Sequence, residues 1–266
     1  MKVFISVDME GISGVTHWDE VNMTKEESAL FRKQMAAEAA AACEGALVAG
    51  ADEILVEDAH DAGRNISAAE LPPPARLLRG LGGSPFMILQ ELDSSFDAVV
   101  LIGYHARAGN SGSPLSHTMI GDYAAIKLNG RDVSEFTLAS YTAAYHGVPV
   151  AFISGDQSIC DEAAQFNPHI RTLAVKYGKG NLTVSMHPLE AVEGIRSGVA
   201  RALERDLSQA LIPLPERFQL EIRFRKHTQA YTAGFYPGAK MADDFTVQFE
   251  AVDFFDIWRF ILFTTR

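Results

Sequence analysis

Three apolar runs in this chain each stop at a side chain able to bind a metal. Val3-Phe4-Ile5-Ser6-Val7 is followed by Asp8 and Glu10, Glu53-Ile54-Leu55-Val56-Glu57 by His60, and Asp97-Ala98-Val99-Val100-Leu101-Ile102 by His105. Asp8 and Glu10 are two residues apart, so in extended chain they project to the same side. Two carboxylates placed together repel, and a bound cation is the natural reason to keep them there. Alone, an Asp or His at such a position is a cap or a solvated loop residue; three strand ends finishing in ligand types make a site. Imidazole and carboxylate without thiolate suit zinc, manganese or iron and exclude a structural Cys-type zinc site. If Glu135 joins from the start of a later helix, the ligands number five, which suits two metals sharing a bridging carboxylate. His117, in Leu115-Ser116-His117-Thr118-Met119, reads as a further ligand, a proton-transfer group near neutral pH, or a hydrogen-bonded loop histidine.

The elements that must position these residues alternate. A strand over 3–7, an Ala-rich helix over 26–49 that stops at Gly50, and strands over 53–57 and 97–102 suggest buried parallel strands separated by helices. Asn129-Gly130 marks a hairpin turn. A helix over about 134–146, a strand over 148–153, a helix over 188–211, strands over 220–224 and 246–250 and a terminal helix follow. The predicted fold is a layered α/β/α architecture with a largely parallel sheet in the N-terminal part and a second, smaller mixed α/β domain. The weakly marked boundary divides the chain into a metal-binding catalytic part, 1–155, and a second part, 156–266. Ligands of such sheets bind beyond the carboxyl ends of the strands, where Asp8, Glu10, His60 and His105 fall.

Composition narrows the function. Of 266 residues, 23 are basic and 34 acidic, a net charge of −11 that argues against nucleic acid or an anionic membrane as partner. Lys176, Lys179, Arg223, Arg225 and Lys226 are too sparse for a nucleic-acid footprint. Cys43 and Cys160 cannot build a disulfide framework and read as buried small hydrophobes. With no signal-like N-terminus and no membrane-length apolar run, the expectation is a cytoplasmic protein. The common nucleotide-binding, zincin and α/β-hydrolase motifs are absent. The alanine stripe at 36–42 reads as close helix packing. His17-Trp18 reads as loop packing, with the cleft entrance as the other reading, and His146, His169, His187 and His227 as surface or core residues.

Four segments in order resemble a known family: Ser6-Val7-Asp8-Met9-Glu10-Gly11-Ile12-Ser13-Gly14, Glu57-Asp58-Ala59-His60, Gly103-Tyr104-His105-Ala106-Arg107-Ala108 and Ser116-His117-Thr118-Met119. They are similar to the zinc-dependent D-aminopeptidases, the M55 metallopeptidases long called dipeptide transport protein A. The likeness covers most of the chain and is densest before residue 155. It implies two zinc ions held by Asp8, Glu10, His60, His105 and Glu135, with the aspartate bridging, and His117 as the catalytic histidine. It also implies release of N-terminal D-amino acids, D-Ala foremost, from short peptides, and assembly as a homodecamer of two stacked five-membered rings. The segment 15–30 is individual to this chain. Another two-metal amide or ester hydrolase, and a cytoplasmic peptide-binding protein linked to dipeptide transport, are the alternative functions.

Overall fold

The computed structural model describes residues 1–265. In chain order the elements are β1 (Lys2–Val7), α1 (Trp18–Val21), α2 (Ser28–Val48), β2 (Glu53–Asp58), β3 (Arg76–Leu78), β4 (Ala98–Tyr104), β5 (Tyr123–Leu128), β6 (Arg131–Asp132) and α3 (Glu135–Tyr145). They continue as β7 (Val150–Asp156), α4 (Gln157–Phe166), β8 (Arg171–Lys179), β9 (Leu182–Ser185), α5 (Pro188–Leu203), β10 (Phe218–Phe224), α6 (His227–Ala233), β11 (Lys240–Asp243), β12 (Thr246–Ala251) and α7 (Phe254–Thr264).

A seven-stranded sheet runs β3-β2-β1-β4-β7-β8-β9, all parallel except the edge strand β9. Its central strands β1, β4 and β7 are largely apolar runs because both faces are covered. The alternation of β1 divides the core: Val3, Ile5 and Val7 pack with α2 and α5, whereas Phe4 faces the layer built by α3, α4 and α7. The alanine stripe of α2 does pack closely on a helix. A Cβ added at Gly45 would lie 2.4 Å from the Arg196 carbonyl oxygen of α5, so the helices touch backbone to backbone.

The second sheet is antiparallel, ordered β11-β12-β10-β5-β6. Strand β10 alternates buried Phe218, Leu220, Ile222 and Phe224 with more exposed Gln219, Glu221 and Arg223, the period of a half-buried strand. Asn129 and Gly130 take φ of 52° and 78°, the paired left-handed turn that the β5–β6 hairpin requires.

The two sheets do not divide the chain at residue 155. Strands β5 and β6 belong to the small sheet although they precede that position, and β8, β9 and α5 complete the large-sheet unit although they follow it. The pairing of β5 with β10, about ninety residues later, is what local periodicity could not reveal. Helix α5 also ends at Leu203, short of residue 211, where a short 3-10 turn over Ser208–Ala210 takes over.

Strand order places β1 and β4 side by side, with β2 continuing to one side and β7 to the other. The sheet therefore changes direction between β1 and β4, the point at which an open α/β sheet leaves a crevice beyond its strand ends.

Candidate metal centre

Glycines bring the strand ends close together. Gly103 in β4 has φ +72°, and a Cβ on it would sit 2.2 Å from the Asp8 carbonyl oxygen; one on Gly11 would sit 1.8 Å from that of Tyr104. The Asp8 amide donates to Ile102 O (2.8 Å) and the Gly11 amide to Gly103 O (2.8 Å), so Asp8 and Glu10 leave β1 locked to β4. The loop after β2 is braced by Asn65, whose side-chain amide donates to His60 O and Asp58 Oδ1, both at 2.9 Å. Asp156, at the end of β7, accepts from the Ala106 amide (2.7 Å) and from Ile159 N at the start of α4 (2.9 Å), which fixes the chain just after His105.

The five expected ligands and His117 come together, all buried or nearly so. His60 Nδ1 lies 3.3 Å from Asp8 Oδ1 and 2.9 Å from Glu10 Oε2. His105 Nε2 lies 3.4 Å from Asp8 Oδ2 and 3.5 Å from Glu135 Oε1, and His117 Nε2 lies 3.7 Å from that same Glu135 oxygen. Glu135, in the first turn of α3, is aimed by Met119, whose positive φ of 65° turns its amide to donate to Glu135 Oε1 at 2.7 Å.

Each histidine anchors one ring nitrogen on a backbone carbonyl and turns the other toward the carboxylates. The carbonyls are Val21 O for His60 Nε2 (2.9 Å), Ala106 O for His105 Nδ1 (3.0 Å) and Leu115 O for His117 Nδ1 (2.8 Å). A carbonyl can only accept, so the anchored nitrogen carries the hydrogen and the facing one holds the lone pair when the ring is neutral. This is how proteins orient histidine for a metal.

The cluster is short of cations. Asp8 Oδ2, Glu10 Oε2 and His105 Nε2 are buried without a hydrogen-bond partner, the short Glu10–His60 approach being out of line. Among the described residues the ion-pair partners of Asp8, Glu10 and Glu135 are all histidines. Burial and the neighbouring Glu10 push the Asp8 carboxyl up to about 7. Burial would likewise raise Glu10 and Glu135, but the His60 charge holds Glu10 well below its usual range, and His105 lowers Glu135. Against the same burial, Glu10 and Asp8 lift His60 well above its usual value, and Glu135 lifts His105 to about 10. Protons on imidazole thus stand where cations would otherwise balance the charge. His117 differs: burial and the adjacent His105 ring, stacked at 4.3 Å, lower it and favour the neutral form.

Two triads can each close on one ion, Asp8–Glu10–His105 and His105–His117–Glu135, with ligand atoms within 4.8 Å of one another. His60 joins neither triad but touches both Asp8 and Glu10, while His117 stands as close to Glu135 as a ligand would. The centre opens into a cavity of about 620 Å³. Trp18 of α1 lines it, its ring edge-on to His117 at 5.2 Å, so His17-Trp18 is no mere loop packing: its tryptophan reaches the cleft. Sequence reasoning also missed Lys176. It is buried in β8 and its ammonium donates to the carbonyls of Glu10 (2.5 Å) and Val15 (2.7 Å), pinning the loop that carries Glu10. A lysine flanked by Val175 and Tyr177 in a strand gave no signal of such a role.

The molecule has counterparts among known proteins. The family model for the M55 peptidases, described as D-aminopeptidase, matches residues 1–263. A D-aminopeptidase of Bacillus subtilis (strain 168) is 35% identical over 269 residues, covering all of this chain and 97% of that protein. The solved structure of the Zn-dependent D-aminopeptidase DppA from Bacillus subtilis, described as a self-compartmentalizing protease, superposes with a TM-score of 0.93. It is 34% identical, and the match covers 100% of this chain and 97% of that one. With the family match running almost end to end, over a layered fold and a crevice of carboxylates and oriented histidines, this chain belongs to the M55 peptidases, the D-aminopeptidase family.

Proposed function

We propose that this chain is a binuclear zinc aminopeptidase that removes N-terminal D-amino acids, D-Ala foremost, from short peptides. The observation that carries the reading is the set of three histidines, each anchored through one nitrogen and facing buried carboxylates, of which Asp8 and Glu10 each keep an oxygen without a partner. In this reading Asp8, Glu10, His60, His105 and Glu135 would hold two zinc ions. Asp8 turns one oxygen to each of two histidines, Oδ1 to His60 and Oδ2 to His105. The metal supplies Lewis acidity toward the scissile carbonyl and acidifies water.

The chain's own groups do the rest. His117 is the least buried of the three histidines and is held by Leu115 O, and burial and the His105 ring favour its neutral form, so its Nε2 can take a proton and return it to the leaving amine. The buried ligands exclude water around the reacting carbonyl and keep the carboxylates in a low-dielectric setting where their charge counts most.

We place the enzyme in the cytoplasm, in keeping with unpaired, buried Cys43 and Cys160; among the described residues no helix is long and apolar enough to cross a membrane. We also propose a closed homo-oligomer, two stacked five-membered rings, in which only short peptides reach the cleft. Exposed Tyr231 and Met241 line a second cavity of about 840 Å³, and with exposed Phe235, packed on Tyr231, they are available for subunit contact.

The deciding experiment is a panel of matched L- and D-aminoacyl dipeptides assayed with and without chelator. Cleavage of the D series alone, abolished by chelator and restored by zinc, is expected. Equal cleavage of both series would contradict the stereochemical claim, and cleavage of neither would favour a peptide-binding role.

A further inference from the structure

The cavity over the metal centre has a depth gradient. Ile88, His60 and Glu135 lie at its base, each under a tenth exposed, whereas Trp18 (44% exposed) and Leu81 (55% exposed) stand at its rim. An exopeptidase that removes N-terminal residues takes in the chain end first, so that residue occupies the base. The residue beyond the scissile bond is then left toward the rim, where Trp18 and Leu81 stand.

Trp18 is the group that this second residue meets. An exposed tryptophan by itself means little, since scattered surface apolar residues are normal. This one is different in two ways. Its ring is seated edge-on against His117 at 5.2 Å, with Leu81 and Met87 also lining the cavity, so the rim is apolar as well as open. Its backbone is also held firmly. His17 caps α1 by accepting from Asp19 N, and Glu20 returns to accept from Thr16 N and His17 N. The arm leading to α1 is cross-braced to β8 and β9 by Lys176 on Val15 O and by Thr16 on Thr183. At its far end Val21 O holds His60. A rigid aromatic plate beside the proton-transfer histidine is built for contact with a ligand and has little entropy to lose on binding.

Resting on the aminopeptidase reading above, we infer that Trp18 is a specificity-determining residue: it packs against the side chain of the residue immediately after the scissile bond and favours apolar or aromatic leaving residues over glycine.

The test compares the zinc-loaded enzyme on D-Ala-D-Phe and D-Ala-Gly, as wild type, Trp18→Phe and Trp18→Ala. Wild type should favour D-Ala-D-Phe. Trp18→Ala should lower kcat/KM for it about tenfold, equivalent to ~1.4 kcal/mol, through KM, while D-Ala-Gly changes less than about twofold; Trp18→Phe should retain most of the preference. An equal loss on both peptides would mean that Trp18 acts through His117, and no loss on either would mean no contact; each overturns the inference. Fluorescence supplies a second measurement, because the only other tryptophan, Trp258, is fully buried with its indole N–H on Thr142. Free D-phenylalanine, the leaving product, should shift wild-type emission to the blue and glycine should not; the same response to both, or to neither, overturns the inference. A wild-type enzyme that cleaves neither peptide would instead refute the aminopeptidase reading.

Discussion

Adjacent strands of the large sheet end in buried carboxylates that are treated in opposite ways. At the end of β2, Glu57 accepts from the Gln90 amide (2.9 Å) and side chain (2.8 Å), and Asp58 accepts from Asn65 N, Asn65 Nδ2 and Ile66 N at 2.5–2.9 Å. All four oxygens are answered by donors of the chain itself. At the end of β1, Asp8 and Glu10 are also buried, at the base of the cavity, yet each keeps an oxygen with no partner and faces histidines whose other nitrogen is tied back. Burying an unsatisfied carboxylate costs more than burying a bonded one. The difference teaches that the β2 pair is structural and self-sufficient, whereas the β1 pair is left short of donors, as the proposed metal centre requires.

The contrast can be broken in several ways. Replacing a ligand should have the largest effect: His60→Ala or His105→Ala should lower peptidase activity by on the order of 10⁴-fold or more, with loss of bound zinc, since the metal carries the electrophilic chemistry. Elemental analysis beside the assay checks this. His117→Ala should lower kcat by roughly 10²–10⁴-fold, the range of general acid–base catalysis, with zinc content unchanged; a lost ion would make His117 a ligand, as its triad with His105 and Glu135 permits.

The pH dependence of metal uptake sharpens the comparison. In the metal-free protein His60 and His105 hold protons at neutral pH, their values being raised well above the usual and to about 10, because Glu10, Asp8 and Glu135 outweigh burial. Zinc must displace those protons, so its affinity should rise with pH, by up to about 100-fold per unit if two protons leave. Calorimetry at pH 6, 7 and 8 reads the slope. The sign for stability is opposite. Raised histidines stabilise the metal-free fold fully below about pH 6.5, and that contribution should be lost as pH climbs toward 10. The smallest effect on the chemistry should come from the self-sufficient pair: Asp58→Asn should cost about 1–3 kcal/mol in denaturant unfolding by setting a donor against donors, with zinc stoichiometry unchanged.

Much of this was legible in the sequence. The strands that carry ligands are apolar runs ended by polar side chains, and the β5–β6 turn is written in Asn129-Gly130. Other parts were not. β3 is three residues long, β11 is exposed, and β8 mixes Arg171, Lys176 and Lys179 with its apolar residues, so none has a clean period. The sharing of chain between the two sheets depends on long-range pairing, which no local pattern records. Nothing local marks the structural part of Glu57 and Asp58, because the donors that satisfy them come from Asn65, Ile66 and Gln90. Lys176 was equally silent, since its partners are carbonyl groups that every residue carries. Trp18 could be read either way until the fold set it against His117.

The central claim, that unanswered carboxylates at the β1–β4 crevice are kept for two cations, is tested most directly by titrating zinc into chelator-treated, folded protein in a calorimeter. The account predicts uptake of two zinc ions per chain with release of protons. A folded protein that takes up one ion or none would contradict it.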